Sequence, residues 1–206
     1  MADSSIPSLL RQARRKKFPK SPLRYPGGKA RAVEILLSLI PAGTTELVSP
    51  FFGGGSVEIA AASLGVRVQG YDVFAPLVDF WQALLADAPR LAERVRAYYP
   101  LAKERFYQLQ KSAPEPGLEN AAVFYVLNRC SFSGSTLSGG MSPGHPRFTP
   151  NAIAYLARFA APNLRVDRGD FHDSIPRHPD ALLYLDPPYR IDCPLYGKNG
   201  DAHKDF

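Results

Sequence analysis

Hydrophobic positions along the chain fall into two rhythms. Val33, Leu36, Leu37 and Ile40 recur at i, i+3, i+4 and i+7, which predicts an amphipathic helix over 29–40 stopped by Pro41 and Gly43. Glu46-Leu47-Val48-Ser49 is short, bounded by turn formers, and leads into Phe51-Phe52-Gly53-Gly54-Gly55-Ser56. That order predicts a strand, a glycine turn and a helix over 56–64 closed by Gly65. Residues 66–71 predict a second strand ending at Asp72. From about 75 to 160 the pattern is mostly helical. Pro76 and Pro89 stand where helices start, and Leu91, Val95 and Tyr98 keep helical spacing. A helix is expected over about 118–129, and Thr149-Pro150 reads as an N-cap with proline at N1, opening a helix through Phe159. A Gly/Ser-rich loop, 131–140, lies between them. Two more strands are expected, at 164–168 and in the apolar run 181–185, which has the character of a buried parallel strand. A β-turn-α-β opening with later βα units specifies an α/β fold built on a parallel, doubly wound sheet.

Composition leaves that class in place: the 206 residues are 45% hydrophobic and 21% charged, as in an ordinary globular protein of one to two domains. No run of about 18 apolar residues suggests a membrane span, and the N-terminus lacks the apolar stretch of a secretory signal. Cys130 and Cys193 show no metal-ligand spacing, and neither do His145, His172, His178 and His203, so no metal is expected and a reducing cytoplasm is the default compartment. Charge adds a pointer. Residues 1–31 hold nine Lys/Arg against Asp3 alone, so +8 there leaves −2 for the rest of a chain whose total is +6. Such a basic arm either meets a polyanion such as DNA or is a solvated leader.

The chemistry concentrates at Asp186-Pro187-Pro188-Tyr189, just after the 181–185 run, the edge where open α/β sheets bind ligands. Two prolines stiffen the backbone and remove two N–H donors. What remains is rich in acceptors: the Asp186 carboxylate, the Pro187 carbonyl and the aromatic face of Tyr189. That set suits an amino group on a flat ring, held by two acceptors while the ring stacks. The competing reading is a plain surface turn. Glycines at 53–55 allow close backbone approach to a ligand. Asp72, 19 residues after Gly53, stands where a carboxylate accepts ribose hydroxyls, or else caps a helix before Pro76.

Three segments in order resemble one family. Asp186-Pro187-Pro188-Tyr189 looks like the DPPY motif of methyltransferases that modify adenine N6. Arg24-Tyr25-Pro26-Gly27-Gly28-Lys29 resembles the N-terminal cofactor motif of the Dam-type (D12 class) DNA adenine methyltransferases, and Pro50-Phe51-Phe52-Gly53-Gly54-Gly55-Ser56 resembles their loop after the first strand. The resemblance spans 22–206. It implies a Rossmann-like S-adenosylmethionine-dependent methyltransferase sheet at 21–74 and 161–206 and a helical target-recognition insertion at 75–160, after the flexible basic leader that the residues themselves suggest at 1–20. By the same resemblance, catalysis falls to Asp186, Pro187, Pro188 and Tyr189. Cofactor binding falls to Tyr25, Lys29, Phe51, Gly53, Gly55, Asp72, Asp170, Phe171 and Asp186. DNA contacts fall to Arg129, Ser133 and Arg147. Lys29 also reads as an ordinary first-turn helix residue, and Arg129 as a charge at a helix C-terminus.

The implied activity is site-specific transfer of a methyl group from S-adenosylmethionine directly to a flipped adenine in double-stranded DNA, with no metal and no covalent enzyme intermediate. A cognate restriction enzyme is the implied partner. The segment Asn128-Arg129-Cys130-Ser131-Phe132-Ser133-Gly134 resembles the family's DNA-contacting loop, but Ser-Gly-Ser-Thr-Leu-Ser replaces the usual Asn-Gly-Leu-x-Arg, so a GATC target does not follow. Residues 195–206 resemble the loop that encloses the target base, or a disordered end. Only four sheet strands are expected where the family has seven, so a C-terminally shortened sheet with 181–185 as an exposed edge is anticipated. Two other readings stand beside the enzyme: a shortened relative that binds DNA or cofactor without turnover, and a nucleotide-cofactor oxidoreductase. The DPPY-like segment and the missing GxGxxG helix start argue against the latter.

Overall fold

Four strands form one parallel sheet among the described residues: β1 (Glu46–Ser49), β2 (Arg67–Asp72), β3 (Leu164–Arg168) and β4 (Leu182–Leu183), in spatial order β3-β2-β1-β4. The computed structural model describes residues 9, 17–25, 27–137, 139–142 and 147–188. Leu47 pairs with Val68 on one side and Leu182 on the other, so β1 is central and its Leu47 and Val48 are buried. This is the expected doubly wound sheet. The chain runs outward from β1 through β2 to β3 and then returns to the far side of β1 as β4.

Eight helices are described: α1 (Val33–Leu39), α2 (Ser56–Ser63), α3 (Ala75–Ala86), α4 (Ala88–Arg96), α5 (Lys103–Lys111), α6 (Leu118–Cys130), α7 (Pro150–Ala157) and α8 (Phe171–Ser174). The local signals explain most of them. Pro76, Pro89 and Pro150 stand at helix starts, and the Thr149 hydroxyl accepts from Ala152 N–H at 3.1 Å. α2 is buried nearly all round, as its Val57, Ile59 and Ala60–Ala62 run implies, because α1 and β2 both pack on it. α6 is also almost wholly buried and packs on α3, where Phe80 stacks on Tyr125 with centroids 5.6 Å apart and planes at 6°. One continuous apolar cluster joins the sheet layer to the helices between β2 and β3.

Three elements differ from the sequence reading. The 29–40 helix shortens to Val33–Leu39, since residues 30–32 form a turn and Ala32 leaves helical geometry with φ −106°. The 181–185 strand pairs only over Leu182–Leu183, with Tyr184 N–H adding one bond to Val48 O at 2.8 Å. Beyond it, Pro187 and Pro188 have no N–H to give a ladder. β4 is the sheet's edge among the described residues, with Leu182 37% and Leu185 53% exposed, the anticipated apolar edge. α5 was not anticipated; only Phe106 and Leu109 are buried in it, too few to mark a helical stripe. No helix among the described residues is long and apolar enough to cross a membrane.

Candidate functional site

The strand order reverses beside β1, and in open α/β sheets the crevice at such a point, at the carboxyl ends of the strands, receives ligands. A cavity of about 380 Å³ opens there. Its walls come from the turn before α1, the loop after β1, the end of β2, the start of α8, the 134–137 loop and the corner after β4.

The loop after β1 is held from both sides. Phe52 N–H donates to Tyr71 O at 2.9 Å, Gly53 N–H donates to the Asp72 carboxylate at 2.9 Å, and the buried Trp81 indole N–H donates to Gly53 O at 3.1 Å. Gly53 and Gly55 have φ of +50° and +64°. A Cβ on Gly53 would stand 2.9 Å from the Tyr25 ring, and one on Gly55 would stand 2.7 Å from the Phe52 ring. Backbone shape and packing therefore both demand glycine here. Tyr25, Phe51, Gly53 and Gly55, four of the expected cofactor contacts, all face the cavity.

Asp72 lines the cavity too. Its second oxygen accepts from Phe74 N–H at 3.0 Å. The helix after it is capped at Phe74 without a side-chain bond, so Asp72 braces the glycine loop and does not cap α3. Burial pushes its carboxyl above the usual range, against the pull of those N–H groups. Across the cavity, Asp170 caps α8 by accepting from His172 N–H at 2.8 Å, which holds its carboxyl below the usual range. Phe171 follows it, with its ring centroid 5.3 Å from that of Phe51.

The corner after β4 completes the wall with Asp186, Pro187 and Pro188. Lys29 Nζ lies 2.6 Å and 2.7 Å from the two Asp186 oxygens and 3.0 Å from Gly27 O. Lys29 precedes α1, so it is a cavity residue and not a first-turn helix residue. Tyr189 lies outside the described residues, as do Pro26, Cys193, His145, His203 and the 195–206 segment.

Residues 25–205 match the family model described as D12 class N6 adenine-specific DNA methyltransferase. The chain belongs to that family. No curated protein matches the chain.

Beside the cavity of this D12-class methyltransferase lies a cluster of arginines. Arg129 sits in the last turn of α6, yet it does not serve only as a terminal charge: Nε donates to Arg147 O at 2.9 Å and Nη1 to Pro22 O at 3.3 Å. Arg24 Nη1 donates to Ser131 O at 3.2 Å. Its guanidinium is lowered from its ordinary value by burial first, then by repulsion from Arg147 and Arg129, so the three cations share one patch. Among the described residues no carboxylate pairs with any of them. Ser133, with φ +53°, lies on the exposed turn beside them, and its neighbours Gly134 to Leu137 line the cavity.

The sequence reading missed three residues of this site. Arg24 was seen only as part of a motif. Asn128 is a buried hub: Oδ1 accepts from Arg24 N–H at 2.9 Å, and Nδ2 donates to Arg24 O at 2.7 Å and to Gly134 O and Thr136 Oγ1 at 3.3 Å each. Glu58 lines the cavity floor although it is only 2% exposed. The signal for it was present: one acid within the otherwise apolar helix Ser56–Ser63. No group of three or more metal-ligating side chains occurs among the described residues.

Proposed function

We propose that this methyltransferase takes its methyl group from S-adenosylmethionine and places it on N6 of an adenine swung out of double-stranded DNA. The observation that carries the reading is one continuous wall in which the acceptor-rich corner Asp186–Pro188 meets the Gly53–Gly55 loop and Asp72.

The donor set fits such a cofactor. Asp72 offers a carboxylate oxygen to ribose hydroxyls, Phe51 and Phe171 offer faces to a purine, and Lys29 with Asp186 offers both charges to a zwitterionic amino-acid tail. When bound, the cofactor supplies an electrophilic methyl on a sulfonium. The protein's part is to hold and align. The Asp186 carboxylate and Pro187 carbonyl accept the two N–H bonds of the exocyclic amine, which favours a more pyramidal nitrogen with its lone pair aimed at the methyl; the surplus N6 proton then leaves to solvent past the Asp186 acceptor. The diproline keeps those oxygens fixed and donor-free. A stacked base cannot reach this cavity, so extrusion is required, with Tyr189 as the surface on which the base rests.

The patch of Arg24, Arg129 and Arg147, with Ser133 beside it, serves the phosphates of the duplex, and the helical region 75–160 serves target recognition. A site-specific mark of this kind suits a cytoplasmic partner restriction enzyme. The test is incubation with unmethylated DNA and labelled S-adenosylmethionine, followed by nucleoside analysis. N6-methyladenine in the product, absent with Asp186→Ala, is the expected result. Label on cytosine, or none with wild type, overturns the reading.

A further inference from the structure

Glu58 is the one buried acid of α2, and nothing in the reaction above uses it. It is 2% exposed, lines the cavity, and accepts a hydrogen bond from the Ser49 hydroxyl at 2.7 Å. Ser49 ends β1 and Glu58 lies in the first turn of α2, so the pair spans the base of the glycine loop. The charge that acts on Glu58 is that of Asp186 across the cavity. Glu58 therefore shares one cavity with Asp186, the acceptor assigned to the reacting amine.

We propose that Glu58 is the residue through which this site tells the positively charged sulfonium donor from the uncharged thioether left after transfer. The inference rests on the cofactor reading above. A cation entering the cavity favours the carboxylate form of Glu58, which releases one proton to solvent as the donor binds. After transfer the sulfur keeps the electron pair of the broken C–S bond and is neutral. Glu58 then faces one positive charge fewer, takes a proton back, and product affinity falls relative to donor affinity.

The groups that bear on Glu58 are few. Asp186 after β4 opposes its ionisation, and Lys29 before α1 holds Asp186. Ser49 on β1 and the N–H groups of Val57 and Glu58 on α2 favour ionisation, and burial outweighs them, so the carboxyl is pushed up to about 7. Asp72 at the end of β2 and Asp170 with His172 at α8 line the same cavity. A group poised there changes protonation with modest changes in its surroundings.

The experiment is calorimetric titration of the full chain with S-adenosylmethionine and, separately, S-adenosylhomocysteine at pH 6, 7 and 8, in buffers of differing ionisation enthalpy. Wild type is expected to raise its preference for the sulfonium roughly tenfold between pH 6 and 8 and to release a proton with that ligand only, after correction for the ligands' own amines. Glu58→Gln keeps an oxygen for the Ser49 hydroxyl and controls for those amines; its preference is expected to stay level. If that variant does not fold, the difference in proton release between the two ligands on wild type decides. Equal release, a level wild-type preference, or the same rise in Glu58→Gln overturns the inference. If wild type binds neither ligand, the cofactor reading fails first and this inference with it.

Discussion

Lys29 Nζ bridges both carboxylate oxygens of Asp186, at 2.6 Å and 2.7 Å, across 157 residues of sequence. The contact ties the turn before α1 to the corner after β4 and fixes the direction in which Asp186 presents its remaining lone pairs. A charge-assisted bond of this kind, three-quarters buried, is worth more than a surface pair. Lys29→Met is expected to weaken S-adenosylmethionine binding about tenfold or more and to slow methyl transfer further, because Asp186 is no longer held. Calorimetry and single-turnover rates check the two effects separately.

Asp72 has two duties that a substitution separates. Its carboxylate holds Gly53 N–H and Phe74 N–H. Asp72→Asn keeps an acceptor oxygen for one of them, whereas Asp72→Ala leaves both without a partner. Alanine is therefore expected to destabilise the fold by about 2 kcal/mol more than asparagine, while both lose ribose recognition. Thermal melts with and without cofactor read this out.

Asn128 joins the 22–25 segment to the 131–137 loop through four hydrogen bonds inside the protein. Asn128→Ala leaves the half-buried backbone N–H and carbonyl of Arg24 without that partner, while Gly134 O keeps the Thr136 hydroxyl, and is expected to cost about 2 kcal/mol. Denaturant unfolding measures the loss, and DNA affinity is expected to fall with it as Arg24 loses its place.

The arginine patch predicts a salt dependence. Arg24→Ala, Arg129→Ala and Arg147→Ala are each expected to lower the slope of log affinity against log salt by about 0.9 per phosphate contact removed, on any duplex sequence. Fluorescence anisotropy over a salt series measures it. A variant that changes preference among sequences without changing the slope reads bases instead.

Glu58 also links stability to pH. Burial pushes its carboxyl from the ordinary 4.5 up to about 7 in the folded chain. The folded form therefore keeps a proton that the unfolded form gives up, and stability falls as pH rises from about 4.5 to about 7, then levels. The span corresponds to on the order of 3 kcal/mol. Glu58→Gln is expected to remove that component, so wild type and variant diverge in melting temperature across this window.

Much of this was legible before the fold was seen, because it depends on local grammar. Pro76, Pro89 and Thr149-Pro150 mark helix starts wherever they occur, and the glycine run announces a tight loop. The corner at Asp186–Pro188 was legible as a rigid, donor-poor turn at a strand's carboxyl end, and the same three residues line the cavity. Other features were not, because they arise only from tertiary contact. Asp72 looked like a ribose acceptor or a cap, and its bond to Gly53 depends on how β1 and β2 pair. The Lys29–Asp186 pair, the Asn128 hub and the crowding of Arg24 by Arg129 and Arg147 join residues some 100 or more positions apart. β4 read as a longer strand because apolar content cannot tell a paired residue from one at a sheet edge.

The most direct test of the account is a crystal structure of the chain with S-adenosylmethionine. The account predicts cofactor density between the Gly53–Gly55 loop and Phe171, ribose at Asp72 and the sulfonium towards Asp186. Density elsewhere, or a ligand whose sulfur points away from Asp186, would contradict it.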